Sequence, residues 1–427
     1  MKFGEFVNRD FFQFLNNTGR GHHFKASLNH ILIDENNEEY HDWVAGFGAL
    51  NLGHNPTQIV ETLKQSMANN TPSLYLESIN PFTGELAEQL CNKTNGHFQN
   101  VVFSNSGAES VETAVKIAVS ATKRNTVISV HGAFHGTSIG ALSYMSDGPY
   151  VEDFKGVIAN NPKIPWDDLI SLENCLKENK PAAFLVEPIQ IEGGIRTPSS
   201  HYFKDAKSLC QKYGALLIID EIQTGLGRCG SLFVYEQMGF IPDILLCGKS
   251  LGAGLVPISA TLLKKGLWQQ AFRGPLKYDI HNSTMSGNKL SCVAASKVLE
   301  IISDKDFLLN VRELGNYLAS QLKKSLSHFK CIEEIRGQGL LFGVKIKDVQ
   351  APWLQWGQMG IPEFQGKPVA GALLVERMFR FKKITQVCAH DWSVLRIEPP
   401  LTINKVIIDE FVNNLATSIQ WIDENAY

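Results

Sequence analysis

Apolar positions follow two different periods along this chain, and the change between them divides it into parts. Near the N-terminus Phe3, Phe6, Val7, Phe11, Phe14 and Leu15 recur at close to helical spacing. This predicts a short amphipathic helix packed on the body or a partner subunit, rather than one lying on a membrane surface. Residues 28–48 hold two strand-like runs around the polar Asp34-Glu35-Asn36-Asn37 turn, a hairpin pattern. Helical spacing returns over about 56–68 and 83–91. From there short aliphatic runs alternate with amphipathic stretches. The runs at 101–107, 125–134, 182–189, 215–221 and 243–249 are bounded by glycine or polar segments, as buried parallel strands are. A long amphipathic helix is predicted over 108–123. The span 80–295 therefore reads as one α/β unit with a mostly parallel sheet.

The C-terminal part has a different rhythm. Helical patterns cover 289–304 and 306–328, and 331–346 reads as a strand pair around a glycine turn. Residues 350–370, with Trp353 and Trp356, are rich in Gly, Pro, Gln and Trp and read as an insertion or lid-like loop. A strand over 393–403 leaves through Pro399–Pro400, and a last helix begins near Lys405. The expected division is an N-terminal segment 1–50 packing with the small unit, a large unit 51–300 and a smaller α+β unit 301–427.

Composition narrows the class without naming it. The 427 residues are 44% hydrophobic and 19% charged, enough for a large core and too apolar for a disordered chain. A net charge of -3 lacks the basic surplus of a nucleic-acid or membrane-surface protein, so neither partner is expected. The eight cysteines show no metal-knuckle spacing and are too sparse for a disulfide scaffold. They fit reduced thiols of a cytoplasmic protein. No targeting signal and no run of membrane-spanning length stand out.

Candidate chemistry sits where the predicted strands end, the usual ligand edge of an open α/β sheet. Ser106-Gly107-Ala108 ends a strand and starts a helix, which suits either a phosphate cradle or an ordinary cap. It is neither a P-loop nor a dinucleotide fingerprint. Asp220 follows four aliphatic residues, Leu216 to Ile219, and would pair there with a cationic nitrogen, a metal or a helix end. Lys249 follows the aliphatic run 244–247. Burial there would lower its ammonium pKa and make a nucleophilic amine, although a lysine reaching out to solvent fits as well. Glu187 and Glu192 flank the next strand end. Arg396, inside an apolar strand, asks for a carboxylate partner from the protein or from a substrate. His131, His135 and His281 lie near glycine turns, without the companion ligands of a zinc site.

Taken together these motifs resemble the class III aminotransferases, pyridoxal-phosphate enzymes of fold type I. The resemblance runs through FGALNLGHNP at 47–56, SNSGAESVETAVKIA at 104–118, GAFHGTSIGAL at 132–142, EPIQIEGG at 187–194, LLIIDEIQTGLGRCG at 216–230, PDILLCGKSLGAG at 242–254, HNSTMSGNKLSC at 281–292 and LRIEPPL at 395–401. It implies an α/β large domain with a mostly parallel sheet and a smaller α+β domain. It implies that Lys249 holds pyridoxal 5'-phosphate covalently and then moves the substrate proton. Asp220 would face the pyridine nitrogen, Gln223 the ring hydroxyl, and Phe134 a ring face with His135 beside it. Ser106, Gly107 and Ala108 would hold the phosphate. Thr284 would reach a neighbour's phosphate, making the active site shared across a homodimer. Phe47, Glu192 and Arg396 would line the substrate side. In this family the arginine binds an α-carboxylate, and the glutamate masks it when an amine occupies the site.

Departures from the family pattern bear on the substrate. Thr137 stands where acetylornithine and ornithine enzymes carry an arginine for a distal carboxylate, and a hydroxyl makes no bidentate pair. Phe47 replaces a substrate-contacting tyrosine of the ornithine enzyme. The stretch resembles the putrescine and diamine branch. The expected reaction moves an amino group between a primary amine, diamine or ω-amino acid and an oxo acid or aldehyde. An aminomutase of the glutamate-semialdehyde type is the alternative, since Ser286-Gly287-Asn288 is similar to that relative; a non-catalytic cofactor-binding protein is the other.

Overall fold

A computed structural model describes residues 2–274, 277, 281–348, 355–357, 364 and 366–426. Its centre is a seven-stranded sheet in the order Phe98–Ser104, Ser259–Lys264, Ile244–Cys247, Leu216–Asp220, Ala183–Val186, Val127–Val130, Lys163–Ile164. The strand Ser259–Lys264 runs antiparallel to both neighbours, and the remaining pairs are parallel. Two such reversals bring the end of the first strand back to the same edge: Ser259 pairs with Ser104 and Ala260 with Cys247. Ser104, Cys247, Asp220, Val186 and Val130 thus all finish on one rim.

The sheet forms because its strands are aliphatic on both faces. Leu217, Ile218, Ile219, Leu245 and Leu246 are wholly buried. Each such side chain contributes about 1.5–3 kcal/mol when removed from water. The Gly107–Thr122 helix packs its Val111, Ala114, Ile117 and Ala118 on one face. Helices Pro81–Lys93, Leu169–Asn179, Tyr202–Tyr213 and Lys289–Ile302 cover the other. Asn80, Asp168, Asn288, Asp304 and Asn404 each cap the helix that follows by accepting first-turn N–H groups. Each cap is worth about 1 kcal/mol.

A second core gathers Trp43 with residues from Val311 onward. Its antiparallel sheet runs Ile332–Gln338, Leu341–Ile346, Val394–Ile397, Gln386–Val387. The N-terminal strands join this side: Lys383 pairs with His41 and Ile384 with Asp42, and Trp43 stacks on Phe411 at 3.7 Å.

The elements depart from the periodicity in a few places. The N-terminal helix is broken into Lys2–Phe6 and Arg9–Asn17, because Asn8 turns out of helix to cap the second piece. The hairpin at 28–48 becomes Ile31–Asp34 and Glu39–Asp42, with Phe24–Leu28 added as a third strand. The strand Ser259–Lys264 and the helix Ala370–Arg380 were not signalled. Trp353 lies outside the described residues. Trp356 is buried against Trp392 and Phe364.

Asp220 and Glu221, adjacent carboxylates, have different tasks. Glu221 is fully buried and accepts the N–H groups of Val234 at 2.7 Å and Tyr235 at 2.8 Å. Burial pushes its carboxyl up to about 8. A carboxyl raised on folding favours the native state below its unfolded pKa, and that stability is lost as pH climbs through the folded value. Melting temperature should therefore fall between about pH 4.5 and 8 by a component that Glu221→Gln removes; thermal melts of both proteins across that range check it.

Candidate active site

Lys249 stands two residues beyond the end of its strand, after Gly248. Its backbone is left-handed, with φ 44°, and opens a short 3-10 turn. An L-residue there stores about 1 kcal/mol or more of strain, a cost usually tolerated where geometry serves function. Its amine donates to the amide oxygen of Gln223. Burial pushes the amine below the ordinary lysine value, against the opposing pull of Glu398 and Glu192. The other buried lysines are tied up. Lys207 meets Asp243 at 2.5 Å, Lys289 donates to Ser66 O at 2.9 Å and Thr71 Oγ1 at 3.0 Å, and Lys383 pairs with Glu410. Lys249 differs from these in its place, at the ligand-type edge of the sheet with a single amide oxygen as its partner.

Asp220 ends the neighbouring strand. One carboxylate oxygen accepts the Ile222 N–H at 3.0 Å and the other lies 2.8 Å from Nδ1 of the buried His135. Ile222 packs beneath both glycine approaches: a Cβ on Gly107 would lie 3.0 Å from it, and one on Gly248 3.4 Å. It thereby sets the spacing between the helix start and the lysine turn. Ser106 is exposed at the N-cap of the Gly107–Thr122 helix, its hydroxyl accepting from the Glu109 N–H at 3.2 Å. The N–H groups of Gly107 and Ala108 are first-turn donors with no intrahelical acceptor, at the positive end of the helix dipole. Gly136, with φ 114°, closes one side; a Cβ there would sit 2.6 Å from the Ala108 Cβ. Phe134 is fixed through its N–H, 3.3 Å from Glu187. Burial, with Asp220 nearby, pushes the Glu187 carboxyl well above the ordinary range.

The third group faces these from the C-terminal part. Arg396, wholly buried, forms an ion pair with Glu192 and lies 3.7 Å from Glu398. Burial opposes its charge, but Glu192, Cys388 and Glu398 together hold the guanidinium above its usual pKa. The second oxygen of Glu192 accepts the Ala389 N–H at 2.7 Å. Against its own burial, the Arg396 charge and that amide keep Glu192 below the ordinary carboxylate value. The guanidinium also lies 5.2 Å from the Phe47 ring centre.

Of the residues singled out from sequence, Lys249 and Gln223 touch, as do Asp220 and His135, and Glu192, Arg396 and Phe47 form one group. Thr284 is exposed and makes no contact with the cluster; its neighbour Ser283 accepts from Asn105 at 2.8 Å. His131 is exposed, and His281 is bonded at 2.6 Å to Thr113, within the Gly107–Thr122 helix. Three residues were missed. Glu398, wholly buried, accepts from Nε2 of Gln223 through both carboxylate oxygens, at 3.0 and 3.1 Å, and so links Lys249 to Arg396. Its signal was available: two positions beyond Arg396 along an extended segment puts it on the same face. Tyr150 and His390 pack against Phe134, with ring centres 5.8 and 6.4 Å away, and come from loops that carry no periodic signal.

Comparison with known proteins points the same way. The family described as aminotransferase class-III matches residues 18–419. The chain is 32% identical to aminotransferase PigE of a Serratia species over 97% of its own length and 52% of the relative's. It thus spans about half the length of that relative. It is 35% identical to the acetylornithine aminotransferase of Bacillus cereus, over 85% of this chain and 94% of the other. In fold it is similar to the ornithine aminotransferase of Toxoplasma gondii, with TM-score 0.84 and 28% identity over 97% of this chain and 96% of that one.

Proposed function

This chain belongs to the class III aminotransferases, a pyridoxal-phosphate-dependent family, and from that premise we propose the reaction and the roles of its residues. The residues present fit the cofactor. An open helix start with free N–H donors suits a phosphate, and Gly136 closes one side of it, where a side chain would collide with Ala108. Asp220 offers a carboxylate to a ring nitrogen, and the lowered Lys249 amine suits a carbonyl partner. When bound, the cofactor supplies an aldehyde that exchanges amines and a ring that draws electrons from the substrate carbon.

The observation that carries the reading is the arrangement of Lys249, Asp220 and the Ser106–Ala108 helix start on one rim, facing the Glu192–Arg396 pair. Lys249 would hold the cofactor through its amine, yield that place to the substrate amine, and take and return the proton at the substrate carbon. Its lowered pKa raises the neutral fraction available for that transfer. Asp220 stabilises positive charge at the ring nitrogen and is itself oriented by His135 and the Ile222 amide. Phe134 would cover a ring face, with Tyr150 and His390 packed against it. Gln223 is held by Glu398 and presents its oxygen to Lys249.

The donor is a primary amine, diamine or ω-amino acid, and the acceptor an oxo acid or aldehyde. With Glu192 in place, Arg396 is already paired, and the substrate side is neutral for an amine without an α-carboxylate. An α-carboxylate must displace Glu192 from both Arg396 and the Ala389 amide. Glu192→Ala should therefore raise kcat/KM for α-amino acids relative to simple amines by roughly tenfold, since it removes the competing carboxylate. A donor screen on both proteins, read as loss of the cofactor's visible band without acceptor, tests this. An unchanged ratio would refute the gate.

Three further assignments belong to this reading. The working unit is a homodimer with Thr284 serving the partner's phosphate. Asn80 donates to Gly287 O at 2.7 Å and the Lys289 N–H to Ser73 O at 3.1 Å, which ties the segment with exposed Leu76 and Ile79 to the one with exposed Met285. Exposed apolar residues on both segments near Thr284 support a second copy as the occupant. Light scattering should give twice the chain mass. The protein is cytoplasmic: its eight cysteines are free and seven are buried. Among the described residues no helix is long and apolar enough to cross a membrane. The two cores support the division into 1–50, 51–300 and 301–427.

A further inference from the structure

The turn that carries Phe47 is built in an unusual way. Ala45, Gly46, Phe47 and Gly48 have φ of 46°, 57°, 57° and 77°, four successive left-handed residues, two of them not glycine. Single left-handed residues are common in turns, but a run of them is disfavoured for L-residues and persists only where surrounding contacts fix it. Those contacts are present. Asp42 is almost wholly buried, and its Oδ1 accepts the N–H groups of both Val44 and Ala45 at 2.9 Å. Its Oδ2 lies 3.0 Å from Nε2 of His54. His54 is itself anchored by a paired backbone bridge to Asn29, with bonds of 2.7 and 2.9 Å. The far end of the turn is equally fixed: a Cβ on Gly48 would lie 2.6 Å from Glu398 Oε1 and 3.1 Å from Gln223.

The turn delivers one side chain to the site. Phe47 is 47% exposed, yet its ring lies against the guanidinium of Arg396, a wholly buried group whose charge is paired with Glu192. A large apolar side chain left accessible on a strained turn, covering a buried charge, is placed for contact with something that enters.

We infer that Asp42, locked by His54, is a positioning residue for substrate selection: it holds the left-handed turn that sets Phe47 over Arg396. This rests on the reading of Phe47 and Arg396 as the substrate side. Neither Asp42 nor His54 touches the lysine, the helix start or Asp220. Losing Asp42 lets the turn relax to ordinary φ values and withdraws the ring, which changes how the donor is held and leaves the proton-transfer residues alone.

The test uses holoenzyme of Phe47→Ala, Asp42→Ala, Asp42→Asn, His54→Ala and the double variant Asp42→Ala/Phe47→Ala, with a series of primary amines of increasing length. Phe47→Ala and Asp42→Ala should each raise donor KM roughly tenfold with kcat changed less than about threefold, as a displaced contact surface does. Both should shift the donor preference in the same direction, and the double variant should add nothing. Asp42→Asn, which keeps the acceptor oxygen for Val44 and Ala45, should restore most of the KM. The cofactor's visible band and the apoenzyme's melting curve report whether the fold holds. If Asp42→Ala does not fold, His54→Ala carries the same comparison. An effective Phe47→Ala beside a silent Asp42→Ala and His54→Ala would overturn the positioning role. So would additive losses in the double variant, or equal losses for every donor. A silent Phe47→Ala would instead overturn the substrate-side reading on which the inference rests.

Discussion

Lys249→Ala should lose transamination by more than about 10⁴-fold, because one side chain supplies both the covalent attachment and the proton carrier. The visible absorbance of the bound cofactor should disappear with it. Borohydride treatment of the wild type, followed by peptide mass analysis, should place the pyridoxyl group on Lys249 and on no other lysine. The fold should survive. Burial lowers the Lys249 amine, so the native state gains little from its charge, and its partner is a single amide oxygen. Alanine retains the left-handed backbone strain at φ 44° without adding to it. Apoenzyme stability should stay within about 1 kcal/mol, the size of one hydrogen bond. A variant that fails to fold, or a label on Lys207 or Lys289, would contradict this.

The second large effect belongs to Asp220. Asp220→Ala should lower kcat by roughly 10²–10³-fold, the usual loss when a preorganised charge is removed from a water-poor site. Cofactor affinity should fall as well, measured by titrating apoenzyme with pyridoxal phosphate. Two groups then lose their partner: His135 Nδ1, at 2.8 Å, and the Ile222 N–H, at 3.0 Å. Unmet buried donors cost about 1–3 kcal/mol each, so a lower melting temperature accompanies the kinetic loss. Asp220→Asn separates the two effects. It keeps acceptor geometry toward Ile222 and should recover stability, but it removes the charge and should not recover kcat. Recovery of both would show that Asp220 acts only as a structural cap.

Much of this was legible along the chain because strand ends announce themselves. Asp220 and Lys249 stand out since charged residues directly after aliphatic runs have few structural reasons to be there, and the sheet does put both on one rim. The antiparallel strand Ser259–Lys264 was not legible. Its sequence, Ser-Ala-Thr-Leu-Leu-Lys, is half polar and lacks the aliphatic run that marks the parallel strands, and direction is not encoded in so short a segment. Glu398 was legible as a residue on the face of Arg396, but its role was not, because that comes from the Gln223 amide, 175 residues away along the chain. Tyr150, His390 and the Asp42–His54 lock depend on loop conformation, and loops carry no period. The left-handed run at 45–48 is the clearest case: Gly46 and Gly48 permit it, but only Asp42 and the wall at Glu398 require it.

The reaction is tested most directly by one turnover without acceptor. Holoenzyme is mixed with excess primary amine, and carbonyl product is counted against bound cofactor. The expected result is one carbonyl released per cofactor, with loss of the visible band, and return of the band when an oxo acid is added. Donor isomerised without carbonyl release, continued turnover with no acceptor, or a band untouched by every amine would contradict amino transfer at this site.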